Sequence, residues 1–202
     1  MLALGLMSGT SMDGLDCCLA EINISNSYTL DFKIIDSKTF PYNKEIKTKI
    51  FDVISNNQSY DSSLDDCLGR TFVEISKNFL KNAKVDLIAS HGQTIKHKDK
   101  KISIQLGTPK FLAQKFKVPV YYDFRKNDID SGGNGAPLVP FLDWLLFRKN
   151  NCHTISINIG GISNISLVKS NSLLNKTIGF DCGPGMCLID RFVKYKWGLE
   201  YD

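Results

Sequence analysis

A strand, a turn rich in glycine and serine, and a second strand open this chain, and the same order returns near residue 153. The turn of the first hairpin is SGTSMDG at residues 8–14, and that of the second is Gly160-Gly161. The flanking strands are predicted at residues 2–7, 15–24, 153–159 and 162–168. Apolar runs bounded by such turns are typical of hairpins. The repetition suggests a duplicated fold with one hairpin at the start of each half.

Between and after the hairpins, strands alternate with helices. Further strands are predicted at residues 29–40, 85–90, 102–106, 118–123 and 177–180. Helices are predicted at residues 44–55, 62–82, 109–116, 137–148 and 186–197. An antiparallel three-strand meander that leads into strands separated by helices indicates a mixed α/β fold.

The pattern divides the chain into two domains of unequal length. The first is predicted at residues 1–150, and the second begins at residue 151 and runs to residue 202. The second segment is too short for an α/β core of the first domain's size. We therefore expect the first domain to be complete and the second to be incomplete in this chain.

Composition argues against two classes of partner. The net charge of +4 comes from scattered lysines, with no basic face interleaved with aromatic residues, so we expect no nucleic-acid partner. The longest apolar stretch, residues 136–147, contains two prolines and an aspartate and is shorter than the roughly 20 residues of a membrane span. The first strand follows no basic segment, which argues against a signal peptide and predicts a cytoplasmic protein.

The six cysteines form no CxxC pair, and only three histidines are present. That set does not match a zinc site, and the ligands of any metal stay unknown at this point. We expect the cysteines to be reduced and mostly buried, as free thiols of cytosolic proteins usually are.

The glycine-rich turns have two interpretations. Glycine lets backbone N–H groups approach phosphate oxygens, and the carboxylates of Asp13 and Asp16 could hold Mg²⁺. A tight hairpin also requires glycine, without any ligand. Two such turns at matching positions of the two halves leave both interpretations open.

Polar residues also follow several predicted strands, where ligands of α/β proteins gather. Asp181 lies between a strand and a helix, so it is either a catalytic carboxylate or a helix cap. Asp123 and Arg125 either bind a ligand or form a local ion pair. His91 either acts on a ligand or satisfies nearby backbone groups.

Six motifs in order make the chain recognisable. They are MSGTSMDGLD (residues 7–16), HGQTI (91–95), DFR (123–125), GGNGAPLVP (132–140), NIGGISN (158–164) and GFDCGPG (179–185). Together they resemble the anhydro-N-acetylmuramic acid kinase family, whose members are longer than this chain. Two positions depart from the family pattern: Cys182 stands where members usually have Thr, and Met186 where they usually have Asn.

The resemblance implies a fold and an activity. The fold is ribonuclease-H-like, as in actin-like ATPases, with two such domains around a nucleotide cleft. The activity is ATP-dependent phosphorylation of O6 of 1,6-anhydro-N-acetylmuramic acid while water opens the anhydro ring. The product is N-acetylmuramic acid 6-phosphate, in peptidoglycan recycling and amino-sugar metabolism. The implied cofactors are ATP and Mg²⁺, and the implied partner is the amino sugar; the oligomeric state stays open, with a homodimer as one alternative.

The resemblance also assigns roles to residues. Asp181 matches the general base. Substrate contacts are expected at His91, Gln93, Asp123, Arg125 and Asn164. ATP contacts are expected at Gly9, Thr10, Ser11, Met12, Asp13, Gly14, Leu15, Asp16, Gly160 and Gly161. The alternative hypothesis is an inactive truncated remnant that binds at most a sugar or a protein partner.

Overall fold

The computed structural model describes residues 1–9, 12–26, 29–55, 62–171 and 173–199. The chain divides into two compact units, Met1–Gly135 (unit 1) and Ala136–Asp202 (unit 2). The helix near residue 140 thus belongs to unit 2, whereas the sequence assigned it to the first domain. A division of the whole protein into domains at residues 150 and 151 stays a prediction.

Unit 1 is a mixed sheet with helices. Its elements are β1 (Leu2–Ser8), β2 (Gly14–Asn26), β3 (Thr29–Pro41), α1 (Lys44–Ser55), α2 (Ser62–Leu80), β4 (Leu87–Lys98), β5 (Ile102–Leu106), α3 (Lys110–Phe116), β6 (Val120–Tyr122) and α4 (Lys126–Asp130). The sheet has the order β3-β2-β1-β4-β5, and β6 also pairs with β4. Strands β1 to β3 are antiparallel, whereas β1 and β6 both run parallel to β4. This order confirms the predicted α/β fold, in which a meander leads into parallel strands.

The hydrophobic core of unit 1 lies between this sheet and the first helices. Helix α2 places apolar residues three and four positions apart, so one face is buried, including Leu68 and Phe72. They pack in one cluster with Leu4 of β1 and Ile88 of β4. Full burial of such a side chain contributes about 1.5–3 kcal/mol, so this cluster stabilises the packing of α2 against β1 and β4.

Strand β4 is longer than predicted and changes partners along its length. The sequence ended this strand at Ser90, but β4 continues through the HGQT motif to Lys98. Its first part pairs with β1 and β6, and its second part pairs antiparallel with β5. Gly92 lies at the change with φ +78°, and a Cβ there would come within 2.8 Å of the Leu106 carbonyl oxygen. The motif is therefore part of the sheet, because glycine lets β5 approach.

Unit 2 is a three-stranded antiparallel sheet with two helices. Its elements are α5 (Val139–Phe147), β7 (Thr154–Ile159), β8 (Ile162–Val168), a 3₁₀ turn (Leu174–Lys176), β9 (Ile178–Pro184) and α6 (Met186–Trp197). The sheet order is β7-β8-β9. The sequence ended the last strand at Phe180, but β9 continues to Pro184, because its later residues still pair with β8.

The cysteines of the two units differ in exposure. The thiols of Cys17 and Cys18 are at least half-buried, but Cys152, Cys182 and Cys187 are exposed. The expectation of mostly buried cysteines was therefore wrong for unit 2, whose few core positions are taken by other residues. Within the described segments, no helix is long and apolar enough to cross a bilayer.

Candidate functional site

A buried chain of hydrogen bonds fixes the turn of the first hairpin. The Tyr42 hydroxyl donates to Ser8 Oγ at 2.8 Å, and Ser8 Oγ donates to Gln93 Oε1 at 2.6 Å. Gln93 Nε2 in turn donates to the Gly9 carbonyl at 2.9 Å. Ser8 and Gln93 are fully buried, and burial raises the pKa of Tyr42, so its hydroxyl stays protonated as a donor. The Gln93 amide thus anchors the turn.

The turn itself is described in part, since Thr10 and Ser11 lie outside the described residues. Met12 has φ +56°, and its N–H donates to the Gly9 carbonyl at 3.3 Å. Leu15 is fully buried in the core, so only its backbone remains near the turn. A Cβ at Gly14 would clash with the backbone at Phe40, so the close approach of β3 requires glycine at this position.

The two carboxylates of this hairpin have different surroundings. Asp13 Oδ1 accepts a hydrogen bond from the Gly14 N–H at 3.0 Å. Asp16 is exposed, and its Oδ1 accepts from Thr39 Oγ1 at 2.5 Å. Mg²⁺ bound with a nucleotide usually takes one or two protein carboxylates besides phosphate and water. This donor set fits that mode, and within the described segments no group of three or more His, Cys, Asp or Glu could hold a metal by itself.

His91 and Arg125 form a second cluster, near the point where β6 ends. Arg125 Nε donates to His91 Nε2 at 3.1 Å, and His91 Nδ1 lies 2.9 Å from the Gly92 carbonyl oxygen. Burial and the Arg125 guanidinium lower the pKa of His91 below its ordinary 6.5, against an opposing effect of the Gly92 carbonyl. These contacts assign a neutral imidazole with its proton on Nδ1. His91 therefore both satisfies a backbone group and orients Arg125.

The glycine-rich loop after α4 holds the other side of Arg125. One terminal nitrogen of its guanidinium donates to the Gly135 carbonyl at 2.7 Å. Gly135 is held in turn, because its N–H donates to Asp128 Oδ2 at 2.7 Å. Gly135 has φ +75°, and a Cβ there would meet the Ile129 side chain. The loop is thus folded against α4 in a way that fixes the guanidinium.

A cavity of about 680 Å³ borders this cluster within unit 1. It lies where β6 and the parallel part of β4 end, which is the edge where ligands of α/β sheets gather. Polar side chains line much of it, among them Ser90, His91, Gln105, Lys110 and Asp123. Asp123 has φ +55°, a left-handed conformation that aspartate adopts more readily than most other residues. The volume and lining suit a polar ligand of monosaccharide size.

In unit 2 the Gly160-Gly161 turn contacts the start of α6. The carbonyl of Gly160 accepts from the Met186 N–H at 2.8 Å, and that of Gly161 accepts from the Gly185 N–H at 2.9 Å. A Cβ at Gly185 would clash with the Gly160 carbonyl. The turn, the end of β9 and the beginning of α6 therefore form one local arrangement.

Asp181 lies inside β9, not after it. It pairs with Asn164 of β8, while Gly183 pairs with Ser163, so Cys182 is the extra residue of a β-bulge. The carboxylate side chain is exposed. The N-cap residue of α6 is Gly185, which makes no side-chain cap hydrogen bond, so Asp181, four residues earlier, does not cap that helix. The arrangement leaves an exposed carboxylate beside a β-bulge, and β-bulges are common next to active sites.

Sequence reasoning missed two residues that shape the cavity. Asp65 of α2 accepts hydrogen bonds from the N–H groups of Gly107 and Thr108, at 2.7 and 2.9 Å, and so fixes the loop between β5 and α3. No local sequence pattern predicts these hydrogen bonds, because about 40 residues separate Asp65 from its partners. Ser90 could have been found, because it is a hydroxyl in an otherwise buried apolar strand.

Comparison with known proteins gives the chain its family. A model of the family described as anhydro-N-acetylmuramic acid kinase matches residues 1–202. The chain belongs to that family. An anhydro-N-acetylmuramic acid kinase of Francisella tularensis subsp. novicida is 36% identical over 98% of this chain and 55% of its own length. One from Pelagibacter ubique is 38% identical over 99% of this chain and 56% of its own length.

The chain spans about half the length of these curated relatives. Among solved structures, RuvC of Thermus thermophilus is similar over 71% of this chain and 78% of its own, with 11% identity and a TM-score of 0.34. A likeness this weak carries no information about the site. Family membership thus depends on the whole-chain match, and the roles of individual residues depend on their geometry.

Proposed function

We propose that the protein is a cytoplasmic, ATP-dependent kinase that phosphorylates O6 of 1,6-anhydro-N-acetylmuramic acid as water opens the anhydro ring. The product is N-acetylmuramic acid 6-phosphate, an intermediate of peptidoglycan recycling. The observation that carries the proposal is the cavity at the ends of β4 and β6, with Arg125 held beside it by neutral His91, in a chain of this family.

Unit 1 supplies the sugar contacts in this proposal. Arg125 is fixed by His91 and by the Gly135 carbonyl, so little side-chain entropy is lost when it binds an anionic substrate group. Asp123 lines the cavity and accepts hydrogen bonds from sugar hydroxyls. Gln93 serves the site indirectly, because its amide already bonds to Ser8 and Gly9.

Phosphate binding is assigned to the two hairpins, each within its own unit. In unit 1 the anchored turn at residues 9–16 contacts the phosphates of ATP, and Asp13 or Asp16 assists with Mg²⁺. In unit 2 the Gly160-Gly161 turn has the corresponding role. When bound, Mg²⁺ would neutralise part of the charge on the phosphates.

Asp181 has the role of general base. Its exposed carboxylate takes a proton from a water molecule, and the water oxygen bonds to C1 of the sugar as the C1–O6 bond breaks. O6 then forms its bond to the γ-phosphorus, and the bond from that phosphorus to the ADP oxygen breaks. The ring is opened and O6 is phosphorylated in one balanced reaction, with the released proton on Asp181.

The product's mass tests the reaction directly. We expect protein, ATP, Mg²⁺ and the anhydro sugar to yield a product heavier than the substrate by one phosphoryl group and one water. N-acetylmuramic acid, which has no anhydro bridge, is the control substrate, because phosphorylation without ring opening adds the phosphoryl group alone. ADP release without a sugar phosphate would reject the proposal.

A further inference from the structure

Ser90 brings a buried hydroxyl to the cavity of unit 1. The residue is 2% exposed, and its Oγ has no hydrogen-bond partner in the described part of the chain. An unpaired buried hydroxyl is costly, roughly 1–3 kcal/mol, so such groups usually have a partner in the working protein. Ser90 is also one of the residues that line the cavity.

The sheet around Ser90 offers the hydroxyl little else. In the register, Ser90 is next to Leu6 of β1 and Tyr122 of β6. Two residues earlier, and therefore on the same face of β4, Ile88 pairs with Val120. Ser90 therefore places one polar atom on an otherwise largely apolar strip, and Val120 and Tyr122 line the same cavity.

We propose that Ser90 is a substrate-contact residue whose hydroxyl bonds to a hydroxyl or N-acetyl oxygen of an amino sugar bound in the cavity of unit 1. The identity of that sugar, 1,6-anhydro-N-acetylmuramic acid, rests on the proposed function. The Ser90 hydroxyl would thus be a further substrate contact, in addition to those expected from the sequence. It lies in the wall of the cavity, where its neighbours on the strands are mostly apolar. Lys110, which also lines the cavity, offers a cation to the carboxylate that this sugar carries.

The chain contains a matched control for this residue. Ser76 of α2 is fully buried, and its Oγ also lacks a partner in the described part of the chain, but Ser76 does not line the cavity. Ser90→Ala and Ser76→Ala each delete one unpaired buried hydroxyl. Neither breaks a hydrogen bond of the described chain, so we expect melting temperatures close to that of the wild type.

The test is a calorimetric titration of the 202-residue chain and both variants, with 1,6-anhydro-N-acetylmuramic acid and, separately, with N-acetylglucosamine. We expect Ser90→Ala to raise the Kd of the anhydro sugar roughly tenfold, the effect of one lost hydrogen bond. Ser76→Ala should leave the Kd within about twofold of the wild type.

The outcomes separate this inference from the proposed function. Equal Kd values for wild type and Ser90→Ala would overturn the role of Ser90 and leave the kinase proposal standing, since the hydroxyl would then be satisfied by water. Binding of N-acetylglucosamine alone, weakened by Ser90→Ala, would support the Ser90 contact and reject the substrate. Binding of neither sugar would overturn the Ser90 contact.

Discussion

At the scale of single residues, two side chains of the HGQT motif bond to different parts of unit 1. Gln93 faces the first hairpin and bonds to Ser8 and Gly9, whereas His91 faces Arg125 and the cavity. Both side chains are at least nine-tenths buried, so their polar atoms are committed to protein partners. The motif thus connects the predicted phosphate turn with the predicted sugar cluster through one strand.

Replacing Gln93 by Leu should destabilise the protein by about 2 kcal/mol, because the partly buried Gly9 carbonyl and the buried Ser8 hydroxyl each lose a partner. Urea unfolding measures the loss. Gln105→Leu is the control, since Gln105 is only half-buried and bonds to other side chains. Equal losses in the two variants would contradict the anchoring role of Gln93.

The stability of unit 1 should depend on pH through His91. Burial and Arg125 lower the pKa of His91 in the folded state, so the unfolded chain binds the proton more readily. The contribution of neutral His91 to the free energy of unfolding is then fully present above pH 6.5 and falls as the pH drops below that value. We expect His91→Gln to have a weaker pH dependence than the wild type in urea unfolding at pH 7.5 and 5.5. Identical pH slopes would contradict this cause.

At the scale of elements, two strands run further than their sequence patterns indicate. Turn residues in HGQT and DCGPG predict strand ends, yet β4 and β9 continue because neighbouring strands pair with them. The fold class, the meander and helix α6 followed from periodicity and from turn chemistry. The short helix α4 and the bonds from Asp65 depend on contacts between distant segments, which a local pattern does not contain. The motifs named the residues of the candidate site, whose roles stay predictions, but they could not show that Gln93 and His91 have different hydrogen-bond partners.

The hairpin of β2 and β3 depends on one glycine. We expect Gly14→Ala to cost several kcal/mol, because its Cβ would overlap the backbone at Phe40 and force the two strands apart. Gly5→Ala in β1 is the control, since a Cβ there would lie 3.7 Å from the nearest atom, in ordinary contact. Thermal unfolding compares the two variants. A small loss for Gly14→Ala would show that β3 can shift at little cost.

At the scale of the whole molecule, the two units differ in how much apolar surface they bury. In the described chain the main core belongs to unit 1, and the buried apolar residues of unit 2 are Trp144, Val168 and Val193. Strand β7 leaves Ile155 64% and Ile157 62% exposed. Since burial provides most of the favourable free energy of folding, unit 2 should open at a lower free-energy cost.

Hydrogen exchange can compare the two units directly. We expect amides of β1 and of the parallel part of β4 to exchange at least about tenfold more slowly than those of β7 and β9, because buried strands open only with the core. Limited proteolysis should likewise cut within residues 136–202 before residues 1–135. Equal protection of both sheets would contradict this ranking.

The most direct test of the account is the turnover of an Asp181→Asn variant, measured as ATP-dependent formation of the sugar 6-phosphate by ³¹P NMR. Cys182→Thr is the control for a disturbed bulge, because it changes the neighbouring residue and keeps the carboxylate. We expect the wild type and Cys182→Thr to form the product, and Asp181→Asn to be slower by about 10²–10⁴-fold with ATP binding unchanged. Wild-type turnover in Asp181→Asn, or no sugar phosphate from the wild type, would contradict it.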